Sequence, residues 1–405
     1  MRTLTRPGEP LAGESTDEIS AYCQDLFAPL ARSDQRRWGE VYLRGLLHAS
    51  GRRTPSNISE QVLGRRTAQP IQQFVNHSTW ESGWIRRQLA EAYTATAAPR
   101  AWAFDEVAFP KNGTRSVGVA RQFASTARRT INCQLALATS LVHPQSCLPV
   151  NWHLMLPRHW DDDEDLRDRA HVPHHERHRP RWHYLLDSVD ELLQDWDLPQ
   201  APVLADWTME SQVEPLLLGL EDRGLGYLLE VGAASHIPVG RHPVRVGVHH
   251  RAPHTRTVAE VAHALLDRAH REVIAWRDAP AANVRRSQFL AVRLPGGPAA
   301  PGDRRAAGPA AGGRVRHLIA EWPFGRPKPR TYWLTNLPAE QLAETVALAE
   351  LRHHSARGCE RLHREYGLGD FEGRSFRGWH HHVTLVSAAR GFHTLQELGE
   401  EAEAC

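Results

Sequence analysis

Lysine is almost missing from this chain: of 49 basic residues, only Lys111 and Lys328 are lysines. Arginine's planar fork suits bidentate phosphate contacts, but the same bias follows from a GC-rich coding sequence, the plainer of the two readings. Formal net charge is only +2, so composition alone does not announce a nucleic-acid binder. Cysteine is scarce too. Cys23, Cys133, Cys147, Cys359 and Cys405 are odd in number, scattered and free of any CxxC pair. That argues against a disulfide framework and against a cysteine-built zinc site. No apolar run approaches the ~20 residues a membrane span needs, and MRTLTRPGEPLAGESTDE has no apolar core of a signal peptide. The expectation is an intracellular protein with no membrane partner. A P-loop, a dinucleotide fingerprint, a Ser-His-Asp arrangement and an internal repeat are all absent from the sequence.

What is present suits a soluble globular chain: 405 residues, 41% hydrophobic and 24% charged, enough for two or three domains. Residues 17–98 read as helical. DEISAYCQDLFAPLA and QRRWGEVYLRGLLHAS carry apolar residues at three- and four-residue spacing. After GRRTPSN, Ser56 or Asn57 is expected to cap a helix. AQPIQQFVNHSTWESGWIRRQLAEAYTAT then offers two more helices broken at Ser78 or Thr79. Arg36, Arg37, Arg52, Arg53, Arg65 and Arg66 allow a DNA-binding module at residues 1–98. A plain helical packing domain with solvated arginines fits equally well.

The pattern changes at residue 101. AWAFDEVAFP is strand-like, KNGT is a turn signal, and RSVGVARQF and INCQLALATSLV continue an antiparallel meander. HYLLDSVDELLQDWD has helical periodicity, APVLADW is a short strand ending near Asp206, ESQVEPLLLGLEDRG is a helix and LGYLLEVG a strand. The order of three strands, helix, strand, helix, strand is that of an RNase H-like α/β fold. It places Asp105 on the first strand and Asp206 at the end of the fourth. Residues 99–231 thus form the first part of that domain. Residues 232–335, with HPVRVGVHH, SQFLAVRL and VRHLIAEWPF, read as a mainly β insertion holding a low-complexity loop at 295–313. Residues 336–405 supply closing helices over 338–366 and 377–400.

Two carboxylates on adjacent central strands suit phosphodiester chemistry with two divalent ions about 3.5–4 Å apart. Mg²⁺ fits such a site, being a hard ion bound by few carboxylates plus phosphate oxygens. From spacing alone, Asp105 and Asp206 remain ordinary strand-end acids. The run HVPHHERHRPRWHYLL (His171, His174, His175, His178, His183) matches no common zinc spacing and reads as a polar loop. His380, His381 and His382 point in different directions on a helix, so one or two at most could face a single ligand.

Several separated blocks resemble bacterial insertion-sequence transposases of the DDE superfamily, in the branch whose last helix carries a Tyr-Arg-Glu-Lys signature. WAFDEVAFPKNGTRSVGVARQFASTARRTINCQLALATS is similar to the first catalytic block, with Val107 in place of a threonine. VLADW is similar to the second, without the Tyr-Gly that usually follows. GLGDFEGRSFRGWHHHVTLV is similar to the C-terminal block, and LFAPLARSDQRRWGEVYLRGLL to the N-terminal helical region. The resemblance implies a Mg²⁺- or Mn²⁺-dependent DNA endonuclease and strand transferase. Asp105 and Asp206 would be its metal-binding catalytic aspartates, and Arg352 would position a phosphate. Double-stranded DNA, as transposon end and as target, would be the partner, with a homodimer on DNA as the assembly and a bacterial, nucleoid-associated cytoplasmic location.

At the third acid the match fails. The signature Tyr, Glu and Lys fall on Ala349, Ala356 and His363. Glu360, one helical turn beyond Ala356, or Glu372 in the following turn, are the substitutes on offer. The competing expectation is a decayed or domesticated transposase that binds DNA without cutting it. Arg374, Arg377 and Trp379, with Lys111 in the first block, are candidate contacts to DNA backbone or bases. Helix capping and core packing explain the first three as well.

Overall fold

The computed structural model describes residues 16–238, 255–265, 269–277, 284–294 and 315–404. Five helices open the chain: α1 Thr16–Leu26, α2 Ser33–His48, α3 Pro55–Leu63, α4 Ala68–Asn76 and α5 Ser82–Thr96. Four strands follow, β1 Ala101–Pro110, β2 Ala120–Ala124, β3 Arg129–Val142 and β4 Cys147–Met155. Next come α6 His159–Asp162, α7 Glu164–Arg169, α8 Arg181–Asp190, β5 Val203–Trp207, α9 Glu214–Asp222 and β6 Tyr227–Val231. The remainder is β7 His236–Pro238, β8 Thr255–Thr257, α10 Val258–Ala264, β9 His270–Trp276, β10 Arg285–Leu294, β11 Arg316–Pro323, β12 Thr331–Thr335, α11 Leu342–Glu365 and α12 Phe376–Ala404. Among the described residues no helix is long and apolar enough to cross a membrane.

The chain divides into two compact units. The first comprises residues 1–99, 105–198 and 355–405, the second 100–104 and 199–354. In the first, β3 pairs antiparallel with β2 through Arg129–Cys133 and with β4 through Leu135–Val142. The meander therefore has four strands where three are expected from the sequence, and Asp206 lies on the fifth strand. The cause is length: β3 runs for 14 residues and β2 covers only its first five. The free backbone groups of the rest need a second partner. CLPVNWHLM supplies it across a bulge at Thr139/Ser140. From RSVGVARQF only Ala120–Phe123 is strand; the preceding loop turns at Gly118, whose φ of +69° is left-handed.

α12 is the hub of this unit. Trp379, His381, His382, Val383, Thr384, Leu385, Val386 and Ser387 are consecutive or nearly so, and all are buried. A helix buried all round belongs inside a core, and α12 packs on α2, α4, α5 and β4. Most of its buried polar groups have specific partners, Trp379 Nε1 and His380 Nε2 excepted. Arg86 of α5, itself buried, donates to Thr384 Oγ1, Asn151 Oδ1 and the Trp152 carbonyl, and lies 2.9 Å from His380 Nδ1. His381 sits between the Val75 and Trp80 carbonyls and stacks on the Trp80 ring at 3.7 Å. His382 Nδ1 meets the Tyr42 hydroxyl at 2.8 Å and Nε2 meets the Leu368 carbonyl at 3.1 Å. The histidine triplet is thus core packing. At α3 the cap is Thr54, whose hydroxyl accepts from the Asn57 amide with Pro55 opening the helix, and neither Ser56 nor Asn57 serves. Proline at the first helical position pushes the capping role to the residue before it.

The second unit is built on a mixed sheet. β1 begins it, pairing parallel with β5 as Trp102↔Val203, Ala103↔Leu204 and Phe104↔Ala205. β5 pairs parallel with β6, and β6, β12, β11, β10 and β9 continue antiparallel. The first three strands are buried apolar runs, as parallel strands covered on both faces must be. SQFLAVRL and VRHLIAEWPF fall on β10 and β11; HPVRVGVHH and the 295–313 segment lie outside the described residues.

Candidate functional site

Asp105 follows Phe104 on β1 and is only 6% exposed. Its Oδ2 accepts from the Ser355 hydroxyl of α11 at 2.5 Å. Two thiols lie close to this carboxylate, Cys147 at the start of β4 and Cys359 one turn beyond Ser355. Burial first, and the Asp105 charge second, push Cys147 up to about 12 and Cys359 well above the ordinary thiol value. Both are therefore protonated and poor metal ligands. α11 approaches β4 closely at Gly358, where a Cβ would sit 3.2 Å from Cys147 Sγ.

In the second unit, Asp206 is the fourth residue of β5. Its Oδ1 accepts from the Thr208 amide at 2.9 Å and hydroxyl at 2.6 Å, and its Oδ2 from Arg352 Nη2 at 2.9 Å. Glu230 stands opposite Asp206 in the β5–β6 register, so the two side chains leave the same face of adjacent strands. Burial raises the Glu230 carboxyl above its ordinary value; Arg352 opposes this and the Asp206 charge adds to it. Glu230 also lines a cleft of about 170 Å³ with Trp276, Arg330, Thr331, Trp333 and His353. Sequence reading missed Glu230, although a signal exists: YLLEV repeats the pattern of VLADW, an acid fourth in a buried apolar strand.

The description of DDE superfamily endonucleases matches residues 25–282, more than half of the chain, and its span holds Asp105, Asp206 and Glu230. The chain belongs to that family. Among curated proteins, none matches it. DDE endonucleases act on DNA and generally use divalent metals, so the donor set of this chain can be tested against that requirement.

The DDE match ends before α11, where the third acid is expected. Ser355, fully buried, is the residue of α11 that meets Asp105. Ala356 is the next residue round the helix and partly buried. Glu360 is exposed, and five residues at 3.6 per turn put it about 140° around the helix from Ser355. Glu372 is also exposed, 4.0 Å from Arg52. Ala349 is buried, and His363 packs on Phe109 with its pKa lowered, chiefly by burial. Among the described residues no group of three or more His, Cys, Asp or Glu is placed to hold a metal ion. In the first unit Asp105 is engaged by Ser355, and in the second Asp206 is engaged by Thr208 and Arg352, so neither carboxylate fits a preformed metal site. Arg352, expected to position a phosphate, is engaged with Asp206.

The expected DNA contacts divide. Arg374 and Arg377 are exposed. Trp379 is fully buried, edge-on to Phe109 with ring centroids 5.5 Å apart, so it packs the core and offers no surface for a base. Lys111 is partly buried, with its ammonium donated to the Phe371 carbonyl at 3.1 Å and its pKa lowered mainly by burial. Several N-terminal arginines are likewise spent inside the chain: Arg36 on the Leu30 carbonyl, Arg52 on Asp370, Arg53 on the Glu365 carbonyl and Arg66 on Glu60. In the His-rich run, His178 meets the Leu156 carbonyl in the loop before α8, and His183, in the first turn of α8, lies beside Asp187 one turn on.

Proposed function

We propose that this chain is a transposase-like DNA endonuclease that cuts and joins DNA at insertion-sequence ends in the bacterial cytoplasm. The carrying observation is the family match, whose span includes both aspartates on buried β-strands. In this reading water breaks a phosphodiester bond at the element's end and releases a 3′-hydroxyl. That hydroxyl then attacks a phosphodiester of the target, so one bond forms as another breaks. Asp105 and Asp206 are the catalytic carboxylates of this reading. In this structure Asp206 is held by Arg352 and Asp105 by Ser355.

The test is incubation of the purified protein with its own flanking DNA ends and Mg²⁺ or Mn²⁺. Metal-dependent nicking that is abolished by Asp206→Ala supports the reading, and binding without nicking at any metal concentration sinks it. The second reading, a DNA-binding protein that does not cut, draws on Ala356 and on the Arg352–Asp206 ion pair. Cleavage gained by Ala356→Glu with His363→Lys would establish that reading and date the loss to those positions.

A further inference from the structure

From Val107 to Trp160 the chain contains no Asp or Glu, but it holds Lys111, Arg115, Arg121, Arg128, Arg129 and Arg158. This stretch includes the hairpin β2–β3, and β2 is an edge strand. Arg115, Arg121, Arg128 and Arg129 are all exposed, and among the described residues none makes an ion pair or side-chain hydrogen bond. Glu106, the acid just before this stretch in sequence, is already committed: its Oε1 accepts from the Ser125 amide at 2.8 Å and the Ser125 hydroxyl at 2.7 Å. That contact fixes the turn carrying Arg128, whose φ of +50° is left-handed.

Edge strands commonly carry a charge that discourages strand addition. Such a role does not account for Phe123, which is 42% exposed on the same strand. Arg121 and Phe123 share one face of β2, Arg128 stands in the turn, and the pair Ala124↔Arg129 turns Arg129 to the opposite face. The arginines therefore extend over about 10 Å of hairpin, at ~3.3 Å per residue. That length of duplex carries roughly six phosphate charges.

We infer that the β2–β3 hairpin is a docking rail for the phosphate backbone of duplex DNA, with Arg121 and Arg128 on phosphates and Phe123 against the sugar edge. Contacts of this kind set register and orientation without reading sequence. The inference rests on the endonuclease reading only in taking DNA as the ligand; it uses neither aspartate.

The experiment measures binding of the full chain to a 5′-labelled duplex of about 30 base pairs by fluorescence anisotropy across a salt series. Arg121→Gln/Arg128→Gln is compared with Arg293→Gln/Arg326→Gln, which removes equal charge from exposed positions of the second unit. Loss of two phosphate contacts lowers the slope of log K against log salt by about 1.8, and lowers affinity at 0.1 M salt by up to roughly 60-fold. An unchanged slope overturns the inference, as does an equal fall in the control; thermal melting checks that both variants are folded. If the wild-type chain binds and nicks DNA while the hairpin variant binds as tightly, the rail alone is refuted. If the wild-type chain binds no duplex, the endonuclease reading falls with it.

Discussion

His382 offers the sharpest quantitative test of the first unit's core. Its ring is satisfied as the neutral tautomer: Nε2–H donates to the Leu368 carbonyl and Nδ1 accepts from the Tyr42 hydroxyl. Protonation would bury a charge. Burial accordingly lowers its pKa from 6.5 to about 4, outweighing the Leu368 hydrogen bond and the Asp370 charge that favour the cation. Because the folded value is depressed, the unfolded chain takes up the proton first. Stability is therefore intact above pH 6.5 and lost as the pH falls toward 4. Between pH 7 and pH 5 this one group removes about 2 kcal/mol. His382→Gln keeps a donor and an acceptor but cannot titrate in this range. Urea titrations at pH 7 and pH 5, followed by tryptophan fluorescence, should show the stability lost on acidification shrinking by about 2 kcal/mol in the variant. A variant that loses as much stability as the wild type would refute the reasoning.

Further outcomes follow from packing. Trp379→Ala should cost about 3–5 kcal/mol yet leave the salt dependence of DNA binding unchanged, because the indole never reaches the surface; urea midpoints and anisotropy check the two halves. Arg86→Met should cost roughly 1–3 kcal/mol, since it removes the Arg86 donor from the Trp152 carbonyl and the Thr384 hydroxyl in the core while Asn151 Oδ1 keeps only the Trp152 amide, and calorimetry reads it. Gly45→Ala brings a Cβ to 2.4 Å from Ile58 Cγ2 and should cost about 1–3 kcal/mol by overpacking, visible as a lower urea midpoint.

The parts of the fold that were legible in the sequence are those where one physical rule acts alone. β1 and β5 read as strands because AWAF and VLA are buried apolar runs, and α4 and α5 are separated at Ser78–Glu81 as their polar break suggests. Rules that compete were harder to read. CLPVNWHLM contains a proline and mixed polarity, and becomes β4 only because β3 is too long for β2. β9 and β12 are short runs of strand-favouring residues, HREVIAW and TYWLT, and their place is set by pairing, β9 with β10 and β12 with β11 and β6. At the site, the two aspartates stood out through their strands. The neighbour relation of Asp206 and Glu230 is a property of parallel register, which a sequence does not state. Exposure was the other blind spot: Trp379 has the residue type of a base-stacking contact, and only the all-round burial of α12 shows that it is core. Lys111 has the type of a phosphate contact, but its ammonium is spent on a carbonyl.

The three consecutive histidines of α12 have a consequence for how that helix finds its place. An apolar helix in an apolar core can be rotated or slid by a residue and still bury the same area. His380, His381 and His382 leave the axis about 100° apart, toward Arg86, toward the Val75 and Trp80 carbonyls, and toward Tyr42 and the Leu368 carbonyl. A one-residue slip would strand all three sets of partners at once, each a buried polar group costing roughly 1–3 kcal/mol. The triplet works as an indexing key. It adds little net stability to the correct docking of α12 and makes the neighbouring ones prohibitively poor.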